Sequence, residues 1–429
     1  MKKTFTMLAA AAIAASAAGM ARADLVVPNL SYRTGPFAAG GIPYADGFSD
    51  YFTLLNERDG GIGGEKVQVP ECETAYNTEK GVECYESTKG SGALIYNPLS
   101  TGITYQLIPK VTADKIPMYT PGYGRTSAAN GKVFEWVFNF PANYWDGASV
   151  AIKYLLQENG NDLKGKKISL VYHNSAYGKE PIRTLEELSK KHGFTLSLLP
   201  VDSPGQEQKS QWLQIRRDKP DYVLMWGWGV MNAVAIQEAA NIRFPMDKFI
   251  GIWWSGSEND VNPAGDGANG YKALTFHGVG MDYPVYADLK KYVYDAGKKA
   301  GAGDQIGSAV YSRGMYAAMV IAEAIRNSQA KAGTSKITPA QLRDGMETLE
   351  LTEARLTELG LPHFGTPFKA TCADHGGPGS AMIQQWDASA KKWNLITGFI
   401  EPDNDVLDPL VQADSGAYAT ENKIAERCN

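Results

Sequence analysis

Histidine and cysteine are scarce in this chain, five and four among 429 residues. His173, His192, His277, His363 and His375 never fall at metal-ligand spacing, and no CxxC is present, so no metal site is indicated. GxSxG, HExxH and Walker A sequences are missing. Their absence removes the usual signatures of α/β-hydrolases, zinc proteases and P-loop NTPases. Positive charge is in deficit, with 42 Lys and Arg against 47 Asp and Glu. Beyond residue 23 no apolar run approaches the ~20 residues that span a bilayer. There is no low-complexity linker and no short internal repeat.

The N-terminus has a definite pattern. Lys2 and Lys3 precede an apolar run from Met7 to Met20, and Ala21-Arg22-Ala23 has the small-x-small form of a cleavage site. Residues 1–23 therefore read as a secretory signal peptide, with a periplasmic mature chain starting at Asp24. A lipoprotein would carry Cys there. Removing the leader leaves 406 residues, enough for two domains, and 39 cations against 47 acids, a formal charge of −8. That charge argues against nucleic acid or an acidic membrane as partner. In an oxidising compartment an even number of cysteines points to pairing, and four allow three connectivities. Cys72–Cys84 would close a short loop and Cys372–Cys428 would tie down the tail, which favours that pattern.

Short apolar runs alternate with helical patterns. Strands are expected at Leu25–Val27, 66–69, 93–96 and 117–120, with helices at 44–57, 77–88 and 104–113 between them. The alternation restarts with helix 144–158 and strand 168–172, and continues through helix 230–241. Two such runs predict an α/β chain of two doubly wound Rossmann-like lobes. Helices at 286–299, 308–329 and 339–347 follow the second run, as in a chain that returns to its first lobe.

Three segments carry a resemblance. Arg33-Thr34-Gly35-Pro36 is followed by Asn56-Glu57-Arg58-Asp59-Gly60-Gly61-Ile62-Gly63-Gly64; a strand ends in Ser175-Ala176-Tyr177-Gly178; and Pro220-Asp221-Tyr222-Val223 enters another strand. Together they resemble the type I periplasmic solute-binding proteins of the branched-chain amino acid group, which serve ABC importers. The resemblance implies two lobes joined by a three-crossing hinge, near 138–143, 275–280 and 378–384. Lobe 1 would comprise 24–140 plus 277–380, lobe 2 would comprise 141–276 plus 381–400, and 401–429 would form an irregular C-terminal strap. It also implies a monomer that hands a small-molecule solute to permease and ATPase subunits, with no cofactor and no catalysis.

Loops at the carboxyl ends of the strands face the expected cleft. Asn97, Ser100 and Thr101 offer donors at a helix start, where Ser100 reads equally as an N-cap. Gly122 and Tyr123 stand where the family usually places small hydroxyl residues, and Gly124 replaces an expected threonine. Tyr177 matches a family cleft tyrosine, and Trp228 and Trp254 follow strands beside glycines. Tyr32 and Arg33 lie on the first strand-end loop, with Arg33 either a carboxylate clamp or a solvated surface residue. No acid stands where an α-ammonium would need one; Glu258 and Asp260 come a few residues late. These residues point to a small aromatic or apolar carboxylate, with a branched-chain or other amino acid as the alternative. A secreted hydrolase would have only His173 as a base, and that position reads equally as a structural histidine. The acid pairs Asp46/Asp50 and Glu186/Glu187 read as solvated helix faces. A soluble ligand-presenting partner of a sensor is the third class.

Overall fold

A computed structural model describes residues 25–428. The signal peptide expected at residues 1–23 lies outside the described residues. In the first lobe Leu25–Val26 pairs with Val67–Gln68 and Asn29–Ser31 with Glu71–Glu73, all parallel. Single parallel bridges join this ribbon to the 93–97 segment, and that segment to Met118. Met118–Tyr119 then pairs with Val137–Phe138. The expected strand at 93–96 is thus held by isolated bridges rather than a continuous ladder.

Helix α1 (Ala38–Arg58) begins six residues before the apolar pattern that starts at Tyr44. Pro43 has no N–H to give the Ala39 carbonyl, and the Asn259 side chain of the second lobe fills that acceptor at 2.8 Å. Helix α2 (Thr101–Asp114) is N-capped by Ser100. Asp46 and Asp50 on α1 are buried, contrary to the solvated face expected of them. Asp46 pairs with Arg33 at 2.7 Å, and Asp50 accepts from Tyr294, Tyr311 and the Ala300 amide. Their partners come from segments distant in sequence, which a local pattern does not show.

Helix α3 (Tyr144–Glu158) opens the second lobe on a capping box of Asn143 and Asp146. Helix α4 (Ile182–His192) follows. The sheet here has seven strands, in the order Lys392–Leu395, Met382–Asp387, Lys272–Thr275, Phe249–Gly251, Tyr222–Trp226, Lys167–His173 and Thr195–Val201. The last five named are mutually parallel; Met382–Asp387 runs antiparallel to them, and Lys392–Leu395 is antiparallel to Met382–Asp387. Between them in sequence, α5 (Ala309–Ala332) returns to pack along α1 in the first lobe.

The tail is not the irregular strap expected from Pro402 and Pro409. It forms α6 (Asn404–Asn422), which runs through Pro409. Buried Leu407 and Leu410 share a face at helical spacing, and Asp414 pairs with Arg125 at 2.6 Å. Packing of that face outweighs one lost backbone hydrogen bond.

Both expected disulfides form, Cys72–Cys84 and Cys372–Cys428. The second closes the longer loop, with a sequence separation of 56. Near it, burial alone would raise the Glu347 carboxyl, but His375 Nε2 at 3.3 Å and hydrogen bonds from Arg427 hold it down to about 2. A C372S/C428S double variant should lose about 4 kcal/mol by the loop-entropy argument. Urea unfolding under non-reducing conditions checks this; a midpoint equal to wild type contradicts it.

Candidate functional site

The carboxyl ends of the parallel strands of the two lobes face one another across a narrow cavity with about 20 Å³ open to a water molecule. Tyr32, Tyr76, Leu99, Ser100, Thr101 and Tyr123 line it from the first lobe, and Tyr144, Tyr177, Trp228 and Trp254 from the second. Each follows a strand end or opens a helix, which is why residues so far apart in sequence converge. The cavity has room for little more than one water molecule, so the walls lie close together in this structure.

The walls are fixed by hydrogen bonds directed away from the cavity. Tyr32 donates to the Leu99 carbonyl at 3.2 Å and accepts from Trp228 Nε1 at 3.0 Å. Tyr123 accepts from the Leu99 amide at 2.9 Å, so both polar groups of Leu99 are held. That clamp maintains the Leu99 backbone at φ 42°, a left-handed conformation unfavourable for a leucine. Tyr177 donates to the Gly227 carbonyl at 2.8 Å. Trp228 meets Trp254 edge to face at 5.3 Å. Thr101 accepts from the Gly124 amide at 3.2 Å and donates toward Tyr144 at 3.4 Å.

Ser100 has both of its expected properties. Its Oγ accepts from the Ile103 amide at 3.4 Å, and it lines the cavity at the positive end of α2. No acidic or basic side chain is among the lining residues. Burial drives the phenols of Tyr32, Tyr123, Tyr144 and Tyr177 well above the usual range, so they remain neutral donors.

Three candidate residues sit elsewhere. Arg33 is engaged by Asp46 and by both oxygens of Glu71. Asn97 lies behind the wall, where its Oδ1 accepts from Tyr44 and Tyr123. Gly122 contributes its carbonyl, which accepts from Trp253 and Trp254 Nε1 at 2.7 Å each. His173 shares a hydrogen bond with Ser175 outside the cavity, and burial lowers its pKa. Glu258 accepts from the Ala309 amide and Asp260 from Ser257, so neither reaches the cavity.

Tyr76, Leu99 and Tyr144 were not singled out from the sequence. Tyr76 follows the second parallel strand and Tyr144 opens the first helix after the crossing, so the strand-end rule applied at every strand would have found Tyr76.

The lobes touch directly around this cavity. Besides the tryptophan contacts, Glu180 of the second lobe accepts from Tyr105 and, at 3.4 Å, from the Thr126 amide of the first. Burial raises Glu180 to about 7, against the opposing hydrogen bonds and the nearby Arg125. A carboxyl whose pKa rises on closing favours the closed form at low pH. That contribution is full below the ordinary 4.5 and fades as pH rises through about 7. Scattering should therefore show a more compact protein at pH 5 than at pH 8, and Glu180→Gln should flatten that difference. A Glu180→Gln profile as pH-dependent as wild type would refute the assignment.

The sequence has relatives of known kind. It is 22% identical over 357 residues to the Leu/Ile/Val-binding protein BraC3 of Rhizobium johnstonii, covering 80% of this chain and 90% of that one. A crystal structure described as an ABC transporter permease from the Pseudomonas fluorescens group is 39% identical, with TM-score 0.88, over 95% of this chain and 100% of that chain. The solute-binding protein of an R. palustris ABC transporter, in complex with benzoate, is 17% identical with TM-score 0.69, over 88% and 97%. That last likeness concerns fold alone. The periplasmic binding protein family model matches residues 25–392. With that match spanning most of its length, and two α/β lobes facing across a cavity, the chain belongs to the periplasmic binding protein family.

Proposed function

We propose that this protein captures a small aromatic or apolar carboxylate in the periplasm and delivers it, as a monomer, to an inner-membrane permease and ATPase. In this reading residues 1–23 are a cleaved signal peptide and the lobes divide at 140, 276 and 380. Tyr32, Ser100, Thr101, Tyr123, Tyr177, Trp228 and Trp254 hold the solute, joined by Tyr76, Leu99 and Tyr144. One observation carries it: the cavity is walled by rings, opens at one end onto the α2 N-terminus, and has no carboxylate. Aromatic walls suit an apolar body. Backbone N–H groups and the Ser100 and Thr101 hydroxyls suit an anionic end. An α-ammonium would be left without a counter-charge, which is costly in a water-excluded site.

The second reading, a branched-chain amino acid, rests on the relationship to the Leu/Ile/Val-binding protein. Calorimetric titration separates the two. Benzoate-type acids should bind at least tenfold more tightly than leucine or valine, a difference of about 1.4 kcal/mol. The reverse ranking hands the site to amino acids, and turnover of any of these compounds would end the transport reading.

A further inference from the structure

Arg313 has no part in the cavity wall, yet its surroundings are unusual. It projects from α5 of the first lobe and is fully buried. Its Nη1 donates to the Trp253 carbonyl at 2.5 Å. The guanidinium lies 5.0 Å from the Trp254 ring and 5.3 Å from the Phe276 ring. Nε and Nη2 are buried without hydrogen-bond partners. The acids that act on it electrostatically are committed elsewhere, Glu258 to the Ala309 amide and Asp260 to Ser257 and Asn232. His277 is also buried, and burial followed by the charge of Arg313 lowers its pKa. Burial brings Arg313 itself down to about 9, so it is charged at neutral pH.

Part of this burial comes from the second lobe, to which the Trp253 carbonyl and the Trp254 ring belong, and separating the lobes would remove both contacts. Closing an empty cleft desolvates a cation for one hydrogen bond and two ring faces, which restore only part of its lost hydration. Trp254 touches both Arg313 and the cavity, with its ring 5.0 Å from the guanidinium and its side chain in the cavity wall. An anion in the cavity would supply the missing opposite charge through a water-excluded medium, where such attraction is strong. A neutral solute would supply none, and a zwitterion would largely cancel its own.

We propose that Arg313 is a specificity-determining residue that makes closure of the cleft conditional on a negatively charged solute. This deepens the carboxylate reading and rests on it for the binding arm only. The test has two arms on full-length mature protein. Without ligand, Arg313→Met should give a smaller radius of gyration than wild type, because closing no longer buries a charge, while Arg313→Lys should behave as wild type. With ligand, wild type should prefer benzoate to its neutral isostere benzamide by at least tenfold. Arg313→Met should reduce that preference to within threefold, and Arg313→Lys should retain it. Arg313→Gln, also neutral, replaces the methionine variant if the latter does not fold, with the same outcomes expected. An unliganded neutral variant as open as wild type overturns the proposal, as does one that keeps the tenfold preference. If wild type binds neither benzoate nor benzamide, the aromatic-acid reading falls, and the ligand-free arm still decides the role of Arg313.

Discussion

Gly314→Val should destabilise the protein by about 3 kcal/mol or more, because α1 and α5 touch through their backbones. A Cβ at Gly314 would stand 2.1 Å from the Tyr44 carbonyl oxygen, and one at Gly47 would stand 2.1 Å from the Tyr311 carbonyl oxygen. These are main-chain atoms within helices, so neither can rotate aside. The two helices would have to separate, opening the interface that α5 buries along most of its length. A fall in Tm on the order of 6–12 °C is expected for domains of this size. Gly416→Ala in α6 is the contrasting substitution. A Cβ there meets nothing within 4 Å, so alanine should stabilise by up to about 1 kcal/mol through helix propensity. Thermal unfolding of the pair checks the sign as well as the size. A Gly314→Val variant melting with wild type would mean the helices are not packed this way.

Gly40→Ala should leave the fold intact and abolish tight binding. A Cβ at Gly40 would come within 2.2 Å of the Trp228 indole, across the junction between lobes. Trp228 has little freedom to yield, since Tyr32 holds its Nε1 and Trp254 meets it edge to face. In an open molecule the two residues are apart, so alanine strains only the closed form. An affinity loss of thirtyfold or more corresponds to about 2 kcal/mol of closure free energy. Urea midpoints of the unliganded variant should match or exceed wild type, because alanine favours the helix over glycine. Equal affinity for whichever solute titrates wild type would show that closure does not bring these residues together.

Legibility from sequence followed the physics of each feature. The helices at Tyr144–Glu158 and Val230–Asn241 and the strand at Tyr222–Trp226 match their expected limits, because each has a clear apolar period with marked ends. The first-lobe strands were harder: they are two or three residues long, and pairing rather than local pattern defines them. Trp228 and Trp254 stand in glycine-containing strand-end loops, which shifts a tryptophan toward the cleft, but Trp226 and Trp253 of the same loops are core, so the pattern alone does not separate them. Arg33 was not separable on such grounds either. Its partners Asp46 and Glu71 lie 13 and 38 positions away, and nothing local distinguishes an arginine bound by two carboxylates from one awaiting a ligand. The same holds for Asp46 and Asp50, read as solvated and found buried.

Periodicity, turn glycines and cysteine spacing act over neighbouring residues, and so the two-lobed α/β plan, the disulfide pairing and the ring-rich strand ends could be read from the order of amino acids alone. Which of those rings share one small cavity, that no carboxylate enters it, and that Arg313 stands uncompensated beside Trp254 were decided only in three dimensions. Each is a balance of charge, hydration and packing among groups brought together by the folding of distant segments, and linear sequence does not encode distance between them.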